Sequence, residues 1–190
     1  MGTLAVTEFI SLDGVVEDPG GSESFKYGGW TFEIDSGDGM TFKYEETMAT
    51  EALLLGRVTY EGFAAAWPSR DGEFADKFNT MPKYVVSSTL KQADWTNSTI
   101  LDGDVVEDVS KLKASTEGLI VVHGSIQLAQ TLLEHDLVDE LHLMLFPVVL
   151  GQGKRLFGAT SNKKRLELEE SRAVGDGVVI LLYRRQDDTA

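Results

Sequence analysis

Three short stretches carry the residue types that hold phosphate groups. In LLLGRVTYEGF, Gly56 lets a ligand approach the backbone, Arg57 supplies a forked cation, and the amides near Val58 and Thr59 face outward. In KYVVSSTL, Ser87 and Ser88 are two hydroxyls able to donate to one phosphate, although serines in such places also cap turns. In LIVVHGSIQLAQ, Gly124 precedes a helix start where Ser125 can cap and the amides of 125–127 can receive a pyrophosphate. Each has a plain alternative, a solvated arginine or an ordinary glycine before a helix. Their recurrence at three strand ends points to an anionic ligand.

Proton chemistry has fewer candidates. His123 stands at a strand end beside the glycine turn, Asp13 lies in the loop after the first strand, and Glu45 and Glu46 follow on a helical stretch. His135 reads as a surface residue complementing a helix C-terminus, and His142 as packed in a strand. The aromatics of the long loop, Phe25, Tyr27, Trp30 and Phe32, either stack on a heterocycle or cover the core. There is no cysteine, no HExxH, no GxSxG and no acid–histidine cluster with metal-ligand spacing, so neither a metal centre nor a thiol or serine nucleophile is expected.

The elements that must position these residues follow from hydrophobic pattern. Strands are expected at 3–10, 52–56, 83–88, 98–101, 119–124 and 139–146, with helices at 41–51, 58–66, 107–114 and 125–135. A hairpin closes the chain around Gly175-Asp176-Gly177. The long segment 15–39, rich in Gly, Asp and Ser, reads as a mobile lid. Strand–helix alternation ending in a hairpin predicts an α/β fold in three layers, α/β/α. Its mixed sheet is mostly parallel with an antiparallel edge, and ligands bind beyond the strand C-termini. All 190 residues fit one domain. The net charge of −14 argues against a nucleic-acid partner, and no apolar run reaches the roughly 20 residues of a membrane span. The N-terminus has no signal-peptide pattern, and the lack of cysteine fits the cytoplasm.

The order FISLDG, LLLGRVTYEGF, KYVVSSTL, LIVVHGSIQLAQTLLEHDLVDELHLMLFPVVLGQGKRLF resembles the dihydrofolate reductase superfamily. It is most similar to the reductase domain of the riboflavin-biosynthesis deaminase-reductase and its stand-alone relatives. The resemblance implies a homodimeric reductase that takes NADPH and a small pterin-, aminopyrimidine- or carbonyl-type substrate. It assigns Gly56, Arg57 and Thr59 to the adenosine phosphates, Ser87 and Ser88 to the 2′-phosphate, and Gly124, Ser125, Ile126 and Gln127 to the pyrophosphate. Ile10, Asp13 and Val16 fall near the nicotinamide, Asp13 and His123 are the catalytic candidates, and Trp30 and Phe63 face the substrate. Two departures fall on the substrate side: Val15 stands where the riboflavin reductases have lysine, and His123 where they have glutamate. A second reading therefore stays open, a nucleotide-binding module that kept the fold and lost the chemistry. The deaminase half is expected to be absent.

Overall fold

Continuous apolar runs become the inner strands of one sheet, because strands covered on both faces have no side to spare for polar residues. In the computed structural model, which describes residues 1–186, Ala52 to Leu55 and Ile120 to Val122 are essentially inaccessible. The elements run β1 (Thr3–Ser11), α1 (Gly39–Ala49), β2 (Thr50–Gly56), α2 (Arg57–Ala66), α3 (Glu73–Thr80), β3 (Lys83–Val86) and β4 (Ser98–Leu101). They continue with α4 (Val105–Ser115), β5 (Leu119–His123), α5 (Ile126–Glu134), β6 (Glu140–Phe146), β7 (Leu166–Val174) and β8 (Val178–Arg185). The eight strands lie in the order β4-β3-β2-β5-β1-β6-β8-β7. Pairing is parallel from β4 to β6 and antiparallel for the two pairs that include β8.

Side-chain alternation sorts the core into two layers. Leu4, Val6, Ile120, Val122, Leu141 and Leu143 pack beneath α4 and α5, against Val109, Leu112, Leu128 and Leu132. On the opposite face, Leu53, Leu55 and Val121 meet Tyr60 of α2 and Phe78 of α3, while Met144 and Phe146 meet Trp30 and Phe42. The expected three layers and antiparallel edge are therefore present.

Two local features differ from the sequence pattern. Helix α3 was not anticipated, because only Phe74, Ala75 and Phe78 form its inward face among polar neighbours. Segment 15–39 is not a bare loop. Asp18 is buried with φ +46, and its carboxylate accepts the amides of Ser22 (2.6 Å), Glu23 (3.0 Å) and Phe25 (3.2 Å). A 3-10 turn at Trp30–Glu33 then drops Trp30 into the core.

Candidate active site

The glycine turns after β2 and β5 are laced together. Gly124 has φ +53 and Ser125 φ +52, so the chain leaves β5 through two successive left-handed residues. A Cβ at Gly124 would meet the Thr59 hydroxyl at 3.2 Å, so glycine is needed for both its φ and the space beside it. The Gly56 amide donates to Ser125 Oγ (2.9 Å), and the Ser125 amide donates to Thr59 Oγ1 (3.0 Å). Ser125 thus bridges to β2 instead of capping its own helix, and neither α2 nor α5 has a side-chain N-cap bond. Two helix N-termini with unclaimed amides stand side by side, the arrangement that receives phosphate.

Around this pair the other expected anion ligands are spread out. Arg57 is exposed and held by Glu61 one turn along α2 (2.9 Å). Ser87 is buried, and its oxygen accepts the amides of Thr89 (3.2 Å) and Leu90 (2.9 Å), so it caps a turn; Ser88 is exposed. Ile126 is half-buried and Gln127 exposed at the first turn of α5.

Asp13 serves as a clasp. Its carboxylate accepts from the Ser11 hydroxyl (2.8 Å) and from the amides of Leu150 (3.1 Å) and Gly151 (2.9 Å). Burial pushes the carboxyl up, but those hydrogen bonds together outweigh it and hold the group below its ordinary pKa. Arg155 Nε donates back to the Asp13 carbonyl (2.9 Å), and Val15, fully buried, bridges to Arg155. The SLDG and VVLGQGKRLF motifs are therefore two halves of one lock. Ile10 and Val16 are both buried in the layer under α5.

The expected substrate aromatics separate. Trp30 is 2% exposed, donates its indole N–H to the Glu17 carbonyl (2.9 Å) and meets Phe146 edge-on at 5.5 Å. This corrects the expectation of a ring open to substrate, because the 3-10 turn spends the indole on core packing. Phe63 instead lies beside His123 at 6.0 Å, with Phe78 on the same imidazole at 5.7 Å.

Beneath α1 lies a buried polar row that the sequence did not disclose. Register sets His123, Thr7 and His142 side by side on β5, β1 and β6. Lys43 of α1 donates to Thr7 (2.5 Å) and to Glu46, and the other Glu46 oxygen meets His142 Nδ1 at 2.7 Å. His142 Nε2 reaches Glu140 at 3.0 Å. Burial disfavours the imidazolium of His142, yet the bonds to Glu140 and Glu46 prevail and raise its pKa to about 9. Burial likewise works against the Glu46 anion, but the Lys43 charge and the His142 bond bring it to about 2. His123 goes the other way, to about 3, through burial first and the Lys43 charge second. Its imidazole is neutral, and no described residue bonds its ring nitrogens. In the sequence Glu46 stands out no more than its exposed neighbour Glu45, and His142 reads only as a packed strand residue. The signal available was the i, i+3 spacing of Lys43 and Glu46 and the polar alternation Glu140, His142 in an otherwise apolar strand.

The sequence model of the RibD C-terminal domain matches residues 3–180. The uncharacterized protein YyaP of Bacillus subtilis strain 168 is 27% identical over 179 residues, covering 92% of this chain and 90% of that protein. A crystal structure assigned to riboflavin biosynthesis in Shewanella sp. PV-4 superposes with a TM-score of 0.78 at 22% identity, covering 97% and 99% of the two chains. Dihydrofolate reductase of Enterococcus faecalis, solved in complex with NADP(H) and RAB-propyl, gives 0.59 at 17% identity, with 97% of both chains covered. At these identities the two structures speak for the fold. No helix of the described residues is long and apolar enough to cross a membrane, and no group of acids and histidines among them is placed to hold a metal ion.

Proposed function

The chain belongs to the RibD C-terminal domain family, and from that premise we propose that it is an NADPH-dependent reductase of a small pterin-, aminopyrimidine- or carbonyl-type substrate. The observation that carries this reading is the Gly56–Ser125–Thr59 lacing, which brings two uncapped helix N-termini together at the strand ends. The residues fit a dinucleotide. Gly124, with no Cβ, lets its turn pack closely against Thr59, and the amides opening α2 and α5 suit a pyrophosphate. Arg57 is exposed and free to exchange Glu61 for a 2′-phosphate, with the Ser88 hydroxyl as a further donor. When bound, NADPH would supply the hydride.

The chain's own residues handle orientation and the proton. Asp13 anchors the loop over the reactive end and stays ionised, so it is a poor proton store. Neutral His123, walled by Phe63 and Phe78, offers its free ring nitrogens as hydrogen-bonding partners to a polar heterocycle or carbonyl. Behind it, protons are held at Lys43 Nζ and His142 Nδ1 with Glu46 between them, the set best supplied to replace a proton given to product. The homodimer and the cytoplasmic setting remain part of the proposal. NADPH oxidation followed against dihydrofolate, an aminopyrimidine ribosyl phosphate and aromatic aldehydes tests it. Measurable turnover of one class is expected, and NADPH failing to bind at all would overturn it.

A further inference from the structure

One buried ionisable side chain has no role in the reading above. Glu8 is 6% exposed, and its Oε1 has no hydrogen-bond partner. A buried carboxyl oxygen left unpaired is a rare arrangement in a core and asks for a ligand atom. Its place in the sheet says which one. Strand β5 pairs with β1 only as far as Thr7, opposite His123, so Glu8 is the first β1 residue beyond that pairing. On the β5 side the next position is Gly124, which turns away at φ +53 and has no side chain. On the β6 side Glu8 is in register with buried Leu143. Alternation sets Glu8 on the same face as Ile10, in the layer that also holds Val16. The unclaimed amides of α5 begin at the same turn.

We infer that Glu8 takes the carboxamide of the bound nicotinamide ring, one carboxyl oxygen donating to the amide oxygen and the other accepting the amide N–H. The inference rests on the NADPH reading and adds the residue that recognises the ring. A protonated carboxyl and a primary amide match donor to acceptor twice without burying a charge, whereas a carboxylate has nothing to donate. Burial pushes the Glu8 carboxyl well above its ordinary pKa; Lys43 opposes this, and Glu23 and Glu46 add to it. Lys43 and Glu46 act on it through the sheet, from α1 on the opposite face, and Glu23 acts from the loop after β1.

The test compares NADP+ with its 3-acetylpyridine analogue, which keeps the carbonyl oxygen but carries methyl in place of the amide nitrogen. Titration calorimetry on the intact wild type and on Glu8→Gln should show NADP+ bound about 3–10-fold more tightly than the analogue, the value of one hydrogen bond. Glu8→Ala should bind the two alike. Wild-type affinity for both ligands should fall as pH rises through the Glu8 pKa, because the carboxylate no longer donates to the carbonyl oxygen that both carry, while the affinities of Glu8→Gln should stay constant. If Glu8→Ala does not fold, the contrast in pH behaviour between wild type and Glu8→Gln decides. Equal binding of the two ligands by wild type, or an unchanged preference in Glu8→Ala, overturns the role of Glu8 and leaves the cofactor reading standing. Failure of wild type to bind either ligand overturns both.

Discussion

Glu46 of α1 and His142 of β6, 96 positions apart in the chain, meet at 2.7 Å inside the protein. The contact joins a helix to the sheet through a charge pair that neither residue could keep alone. Removing one partner strands the other in a medium that solvates it poorly.

The pair should set the pH range of stability. The His142 pKa is raised, so its contribution is complete below the ordinary histidine value and is lost as pH climbs through about 9. Glu46 is lowered, so its contribution is present above the ordinary carboxylate range and is lost as pH falls toward about 2. The pair's own contribution, read as the difference in melting temperature between wild type and Glu46→Gln, should therefore be flat between about pH 5 and 6.5, with losses on both sides. Glu46→Gln should cost about 3–5 kcal/mol on the plateau and flatten both limbs. A wild-type melting temperature still rising from pH 8 to 10 would count against this assignment.

Glu8 should show the opposite sign. An acid whose folded pKa is raised binds more protons folded than unfolded, so stability falls as pH rises above the ordinary carboxylate range. Glu8→Gln removes that penalty while keeping the side chain's volume. The variant should melt higher than wild type at pH 8 and show little difference at pH 4. Denaturant midpoints at the two pH values, with unchanged slopes, are the measurement.

Cofactor choice should run through Arg57. Charge-assisted hydrogen bonds of this kind are worth roughly 1.5–3 kcal/mol each, so Arg57→Ala should narrow the NADPH-over-NADH preference by about tenfold or more. Fluorescence titration with both cofactors checks it, and equal affinities in the wild type would remove the basis for the assignment.

Asp13 should matter to the loop, not to proton supply. In Asp13→Ala the amides of Leu150 and Gly151 lose their acceptor and should exchange with solvent markedly faster. The pH profile of NADPH oxidation should keep its shape. A profile that loses a limb would return Asp13 to the proton path.

The aminopyrimidine ribosyl phosphate of riboflavin synthesis should be a poor substrate. Val15 is wholly buried against Arg155, where an ammonium would be needed, and the His123 imidazole is neutral where a carboxylate would stand. Turnover in the ordinary enzyme range of about 1–1000 per second would show that these two changes are immaterial.

Sequence alone determined the layers of this protein and the location of its turns. Short apolar runs such as ALLLG and LIVVHG, closed by glycine, read as buried strands, and those glycines mark where a ligand comes close to the backbone. These are local properties, carried by consecutive residues and their period. What the turns do with their side chains was decided by the tertiary structure. Ser125 binds Gly56 because β2 and β5 are neighbours, Ser87 closes its own turn, and Trp30 enters the core although its segment reads as open loop. The polar row is the clearest case. Lys43, Glu46, Thr7, His123 and His142 come from four separate elements, and only the order β5-β1-β6 with α1 above it brings them together. Their protonation depends on burial and on mutual distance, which no spacing along the chain encodes.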